Sequence, residues 1–417
     1  MDRDAASAVS AIWRLESTRL IAALARMTND LGLAEDLAQD ALVAALEQWP
    51  EEGVPSRPGA WLMAVAKRRA VDHFRRADTL RRKTRELGRN LEEVVMPDLD
   101  AQVDHIDDDV LRLIFMTCHP TLPPESRAAL TLRLVGGLST QEIARAFLVK
   151  DSAIGQRISR AKKSLVGADL EPPTGRERQE RLADVMAVIY LIFNEGYSAT
   201  AGQDWTRPEL CLEALRLARM LAALAPAEPE VHGLQALLEI QGSRLSARID
   251  AGGAPVLLEA QDRRRWDQLL IRRGLAAQRR AESLGGPAGP YLLQAAIAAC
   301  HARARSPGDT DWVRIAGLYD LLAELTPSSV VEVNRAVAHG RAFGSDAGLA
   351  VLERLPADAL AGSHLLPAVR GDLLARAGRT PEAAAAFREA ASRTRNERER
   401  TLLLGRAEEA GDSGCPG

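Results

Sequence analysis

The chain has 417 residues, 46% hydrophobic and 27% charged, with 54 Lys and Arg against 57 Asp and Glu. That is more than one ordinary core accommodates, so two to four domains are expected; the balance is globular, and with no run of 18 apolar residues no membrane span is expected. Only 4% of residues are aromatic, and the heavy use of Ala, Leu and Arg favours helices, because these side chains lose little on entering one.

The N-terminal segment MDRDAASAVSAIWRLE is charged throughout and lacks the apolar core of a secretory signal. Residues 5–28 read as a helix with Ile12, Leu15, Leu20, Ala23, Leu24 and Met27 along its inner side. Residues 34–49, AEDLAQDALVAALEQW, repeat Leu37, Ala38, Ala41, Leu42, Ala45, Leu46 and Trp49 at helical spacing, with Glu35, Asp36, Gln39 and Asp40 on the opposite face. Pro50, Gly53, Pro55, Pro58 and Gly59 then force a loop. The next helix, GAWLMAVAKRRAVDHFRR, turns Trp61, Leu62, Val65, Ala66 and Phe74 inward and leaves a cationic remainder. Residues 88–108 carry too little apolar content to pack and read as a flexible acidic tether.

A second small domain is expected over 109–168, with a boundary at Pro172-Pro173 and Gly175. From about 177 onward the pattern is helix after helix. GDLLARAGRTPEAAAAFREAA places Gly371, Leu374, Ala383, Phe387 and Ala390 at the spacing of a tetratricopeptide helix pair, the aromatic plugging the gap beside small residues. RIAGLYDLLAELTP, with Ile315, Tyr319, Leu322 and Pro327, reads as the second helix of another unit.

The net charge of −3 hides a pattern. Trp61 to Arg85 holds nine Lys or Arg against two Asp, Leu91 to Val110 holds eight Asp or Glu and no Lys or Arg, and Lys150 to Lys163 holds five Lys or Arg against one Asp. Two basic blocks thus flank an acidic connector, a distribution suited to a polyanionic partner.

The segment STQEIARAFLVKDSAIGQRISRAKKS, residues 139–164, is the most informative. Ser139 is an N-cap, Ile143 and Phe147 share a face, and Ala144 permits a close helix crossing. Asp151 caps a second helix whose inner side is Ile154 and Ile158. Its outer side shows Ser152, Ala153, Gln156, Arg157, Arg160 and Lys163, the composition of a helix lying in a major groove, where Arg and Gln read base edges and the remaining cations meet phosphates. The alternative is a structural hairpin with a solvated basic face. In the other basic block, Trp61 lies beside Lys67, Arg68, Arg69, Arg75 and Arg76. Such a helix suits single-stranded DNA, since the backbone follows the charge and an unstacked base finds a ring; the alternative is that Trp61 anchors its helix in the core.

AEDLAQDALVAALEQW, PGAWLMAVAKRRAVDHFRR and LSTQEIARAFLVKDSAIGQRISRAKKSL, in this order and spacing over residues 1–168, resemble the bacterial extracytoplasmic-function sigma factors of RNA polymerase. LIFNEGYSAT and the tetratricopeptide-like tail resemble the subgroup with a long C-terminal helical extension. The resemblance implies an all-α chain: a region 2 domain over 1–88, an acidic linker over 89–108, a region 4 helix-turn-helix domain over 109–168 and a regulatory extension over 177–417. It also implies core RNA polymerase and promoter DNA as partners. Asp36, Gln39 and Asp40 would dock on the polymerase clamp. Trp61, Lys67, Arg68, Arg75 and Arg76 would handle the −10 element, with loop 50–60 forming the pocket for a flipped base. Ser152, Ala153, Gln156, Arg157, Arg160 and Lys163 would read the −35 element. Gly155 departs from the larger or basic residue many members carry, which shifts specificity toward Gln156 and Arg157. The linker would occupy the RNA exit route.

No P-loop is present, so strand opening would draw on binding energy. No HExxH, GxSxG or GxGxxG occurs either, and an enzyme is not expected. Cys118, Cys211, Cys300 and Cys415 stand apart without CxxC pairing, and Cys118-His119 has no further ligand nearby, so neither metal nor cofactor is expected. Phe193, Asn194, Glu195, Gly196 and Tyr197 form either a regulatory motif, binding a protein or small molecule, or a packing motif. The expected location is the cytoplasm, without membrane contact. Two other functions remain open: a helix-turn-helix regulator that acts without core polymerase, and a helical-repeat scaffold.

Overall fold

The computed structural model describes residues 3–86, 106–147, 149–166, 168, 173–198, 206–250, 252, 254–356 and 359–412. Among them every regular element is a helix, apart from one isolated antiparallel bridge between Ile249 and Pro255, so the all-α expectation holds. Among the described residues no helix is long and apolar enough to cross a membrane. The chain divides into two compact units, Met1–Val188 and Ile189–Gly417.

The first unit contains α1 (Arg3–Thr28), α2 (Leu31–Glu52), α3 (Pro58–Glu86), α4 (Ile106–Thr117), α5 (Pro124–Leu134), α6 (Thr140–Ala146) and α7 (Asp151–Ser164). Asp30 starts α2 by accepting from the amides of Gly32 at 2.7 Å and Leu33 at 3.1 Å, and Gly53, with φ of 84°, ends it. Pro50, expected to force the loop, instead lies inside α2; the break is confined to residues 53–57, and Pro58 opens α3, where a missing amide costs nothing. Of the acidic connector expected over 89–108, residues 89–105 lie outside the described residues, and Ile106 to Asp108 already belong to α4. Leu15, expected on the inner side of α1, is instead 75% exposed.

The helices before and after this connector pack on one another: α1 lies against α4 and α5 as well as α2 and α3, and α2 meets α7. Leu24, Leu62, Leu113, Leu130, Ile143 and Ile154 are fully buried in this unit. Each such side chain contributes about 1.5–3 kcal/mol by leaving water. Polar links fix the register. The Thr18 hydroxyl donates to the Val135 carbonyl at 2.9 Å, and Arg26 meets Asp109 at 2.6 Å.

Helix α8 (Gly175–Tyr197) runs through the division between the units. Its first part is tied into the first unit: Arg181 donates to the Phe115 carbonyl at 2.8 Å, and Asp184 accepts from Arg127 at 2.9 Å.

The second unit continues with α9 (Pro208–Leu224), α10 (Pro229–Gly242), α11 (Gln268–Leu284), α12 (Pro290–Arg303), α13 (Trp312–Leu325), α14 (Ser329–Phe343), α15 (Ser345–Leu352), α16 (Leu365–Arg376), α17 (Thr380–Arg393) and α18 (Glu397–Asp412). Consecutive helices from α9 to α18 pack on each other, so the unit is built mainly from chain-neighbour contacts. In the α16–α17 pair, a Cβ on Gly371 would lie 2.8 Å from the Phe387 ring, so the absence of a side chain is what lets the aromatic seat between the helices. Phe387 is buried, with Leu374, Ala383 and Ala390 around it. The succession of α-helices is broken over Ser243 to Asp267 by more than the short Pro/Gly breaks of the sequence pattern. There the chain forms three short 3-10 turns and the Ile249–Pro255 bridge between α10 and α11.

Candidate nucleic-acid interface

The helix pair α6–α7 starts on a complete capping box. Ser139 accepts from the Glu142 amide at 3.1 Å, while Glu142 accepts from the Ser139 amide at 2.7 Å. Ile143, Ala144, Ile154, Ile158 and Ala161 are buried, as the period requires. Asp151, expected to cap α7, is its first helical residue; Lys150 occupies the cap position and makes no side-chain cap bond. Asp151 therefore acts through its charge at the positive end of the helix dipole, and Lys162 and Lys163 complement the negative end. Ser152, Ala153, Gln156, Arg160 and Lys163 are exposed and Arg157 is half-buried. Arg160 donates to Gln156 at 3.3 Å, which holds two of the proposed base readers side by side one turn apart.

On α3 the apolar stripe is Leu62, Ala66 and Ala70, all buried. Trp61, Val65 and Phe74, expected fully inward, are half-buried. Trp61 meets buried Trp49 of α2 edge-on, with centroids 5.3 Å apart, so it anchors α3 on α2 while remaining half-buried. Arg68, Arg75 and Arg76 are exposed and Lys67 is half-buried. Arg69 is committed to Asp40 of α2 at 3.0 Å.

That ion pair draws Asp40 into the joint between α2 and α3, although the side chain remains about half exposed. Asp36 is exposed, and Gln39 donates to Glu35 at 2.8 Å. Glu35 itself corrects the sequence reading. It was placed on the outward face, yet it is only 4% exposed. Arg133 of α5 donates to it at 2.7 Å, and Lys162 of α7 pairs with it as well. Burial alone would raise this carboxyl; the Lys162 and Arg133 charges outweigh that and hold it below the usual carboxylate range. Lys162, adjacent to the outward Lys163, therefore serves the interior of the unit.

In the second unit, Phe193 is buried and stacks on Tyr197 with centroids 5.3 Å apart, Asn194 is exposed, and Glu195 pairs with Arg207. A Cβ on Gly196 would lie 2.7 Å from the Cys211 amide nitrogen, and the Gly196 carbonyl accepts from the Arg207 amide at 2.7 Å. Phe193, Glu195 and Gly196 thus all make packing contacts. Cys118 is buried beside the Thr131 hydroxyl at 3.5 Å, and burial pushes its thiol up to about 11.

Residues 13–79 match the family model described as Sigma-70 region 2, residues 112–165 that of Sigma-70, region 4, and residues 181–282 that of a family of unknown function, DUF6596. An uncharacterized protein of Rhizobium meliloti (strain 1021) is 46% identical over 376 residues, covering 88% of this chain and 87% of its own length. The probable ECF RNA polymerase sigma factor SigI of Mycobacterium tuberculosis (strain ATCC 25618 / H37Rv) is 30% identical over 179 residues, 40% of this chain and 59% of that protein. The probable RNA polymerase sigma-C factor of Mycobacterium bovis is 30% identical over 144 residues, 34% of this chain and 74% of that protein. No solved structure matches the chain.

Proposed function

Because this chain belongs to the extracytoplasmic-function sigma factors of RNA polymerase and carries a long C-terminal helical extension, we propose that it docks on core polymerase, recognises −35 and −10 promoter elements and promotes strand opening, with the extension regulating these steps. The observation that carries the reading is the pair of outward cationic faces in one unit. On α7 these are exposed Arg160 and Lys163 with half-buried Arg157, beside Gln156; on α3 they are exposed Arg68, Arg75 and Arg76 with half-buried Lys67, beside half-buried Trp61.

The division of labour follows from chemistry. The α7 face carries Arg157 and Arg160 on a helix of 14 residues that suits a major groove, so it reads intact duplex. The α3 face combines phosphate-neutralising charge with an aromatic surface, so it holds the opened strand. Asp36, Gln39 and Asp40 form the polymerase-docking edge of α2, and the connector 89–108 lies along the RNA exit route. The domain limits follow the same scheme: 1–88, 109–168 and the extension 177–417. The family is one of non-enzymatic initiation factors, and no reaction is assigned.

Run-off transcription with reconstituted core enzyme on a genomic fragment library tests the proposal. Discrete start sites dependent on this protein are expected, and their loss in Arg157→Ala/Arg160→Ala is expected at an unchanged circular-dichroism spectrum. Each lost phosphate contact should lower the salt slope of promoter binding by about 0.9, and each lost base contact should cost about 1–3 kcal/mol. Core-independent binding of duplex DNA in a gel shift, with no run-off products, would reassign the protein as a conventional regulator. A chain ending at Val188 tests the extension: promoter-dependent transcription identical to that of the whole chain would remove its regulatory role.

A further inference from the structure

The second unit contains a group of arginines that the promoter-handling surfaces do not use. Arg244 and Arg248 flank the 3-10 turn Leu245–Ala247 that follows α10, and Arg263 opens the 3-10 turn Arg263–Arg265. Aromatic rings bring them together. The Arg248 guanidinium carbon lies 3.7 Å from the centroid of Tyr197, and that of Arg244 lies 5.7 Å from the same ring. Arg244 is also 5.8 Å from the centroid of Trp266, which it shares with Arg263 at 4.7 Å. Arg341 of α14 lies 4.9 Å from Trp312, whose ring is 5.2 Å from that of His301.

Arg341 is charge-compensated by Glu259. Arg244 and Arg263 are satisfied differently. Arg244 donates to neutral acceptors, the Tyr197 hydroxyl and the Gln241 side-chain oxygen. Arg263 donates to the backbone carbonyls of His301 at 2.6 Å and Ala304 at 2.7 Å. Among the described residues the buried Nε of each has no hydrogen-bond acceptor. Glu259 compensates Arg341 and Asp309 acts on Arg263 from nearby, while half-buried Arg244 lies against rings that attract positive charge without neutralising it. Its effect is felt at His301, where burial first, and then Arg244, Arg263 and Arg341, push the imidazole down to about 4.

Guanidinium is the side chain whose planar fork matches an oxyanion bidentately, and several of them converging favour a ligand with more than one negative charge. We infer that this cluster binds a small-molecule oxyanion, phosphate- or carboxylate-bearing, with Arg244 as its principal contact and Arg263 beside it. Arg248 adds long-range attraction, and both contact residues lie against the Trp266 ring. The inference gives the extension's proposed regulatory role a chemical input, and it rests on that reading only for its effect on transcription.

Isothermal titration of the full chain at low salt with inorganic phosphate, AMP and citrate tests the site. At least one probe is expected to bind saturably, the phosphate and carboxylate arms separating the two chemistries. Arg244→Gln and Arg244→Lys are both expected to weaken that binding by about tenfold or more, some 1.4 kcal/mol. The Lys variant keeps the charge and loses the fork, and it also serves if the Gln variant loses its circular-dichroism signature. Arg395→Gln, at an exposed position after α17, is the control expected to bind as the parent does. Failure of all three probes to bind at millimolar concentration, or binding indifferent to both Arg244 changes, overturns the site. Binding confirmed in this way but without effect on promoter-dependent run-off would leave the site standing and count against regulation by the extension.

Discussion

Arg133 of α5 donates to Glu35 of α2 at 2.7 Å, and this contact, between residues 98 positions apart, ties the helices before residue 87 to those after residue 105 in the first unit. Lys162 approaches the same carboxylate from α7, so one acid of α2 holds both α5 and α7.

Glu35→Gln removes the negative charge and leaves Arg133 and Lys162 facing each other. Breaking a buried pair in this way costs roughly 3–5 kcal/mol, and the partial exposure of both cations places the expected loss near the lower end. Urea unfolding of the whole chain checks it as an earlier first transition. The pH dependence has a definite sign. Because the folded carboxyl is held below its ordinary value, its contribution is complete above about pH 4.3 and is lost as pH falls through the folded value. The Gln variant should lack that acid-side loss.

His301 acts at milder pH. Its folded value near 4 lies under the ordinary 6.5, so the unfolded chain binds a proton that the folded chain refuses. Stability of the second unit should be complete above about pH 6.5 and fall as pH drops toward 4, while His301→Asn removes this slope. Thermal melts of both proteins across that range check the prediction.

Gly155→Ala should stabilise α7. An added Cβ would meet only the Thr140 methyl carbon at 4.0 Å, an ordinary contact, and a glycine inside a helix costs about 0.5–1 kcal/mol relative to alanine. A rise in the first unfolding midpoint is expected, and a fall would mean that α7 needs the freedom of a glycine there.

Gly371→Ala should do the reverse in α16, because the new Cβ would stand 2.8 Å from the Phe387 ring. Overpacking of this kind costs about 1–3 kcal/mol. Phe387→Leu in the same chain should recover part of the loss, a coupling that a double-mutant cycle measures directly.

Helix periodicity made α2, α6 and α7 legible, together with the outward set Gln156, Arg160 and Lys163, because an amphipathic helix declares both of its faces. The same rule misplaced Glu35. Periodicity sends every charge outward, whereas this one is buried by partners 98 and 127 positions away that no local pattern encodes. Asp151 was misjudged by one residue, since Lys150, rather than an acid, takes the extended conformation that precedes α7. The arginine cluster was invisible for a different reason. Arg244, Arg248 and Arg263 lie in 3-10 turns and loops without a period, and the rings that gather them come from positions as far apart as Tyr197 and Trp266. The Gly371–Phe387 fit, by contrast, was written in the spacing of a small residue and an aromatic.

Helix α8 bears on where this protein can be divided. A scissor placed after residue 168 would strip the Phe115 carbonyl and the Arg127 guanidinium of Arg181 and Asp184, and any defect in such a fragment would be a wound rather than a phenotype. The first unit ends at Val188, inside α8, so any fragment meant to keep these two contacts has to run past Asp184.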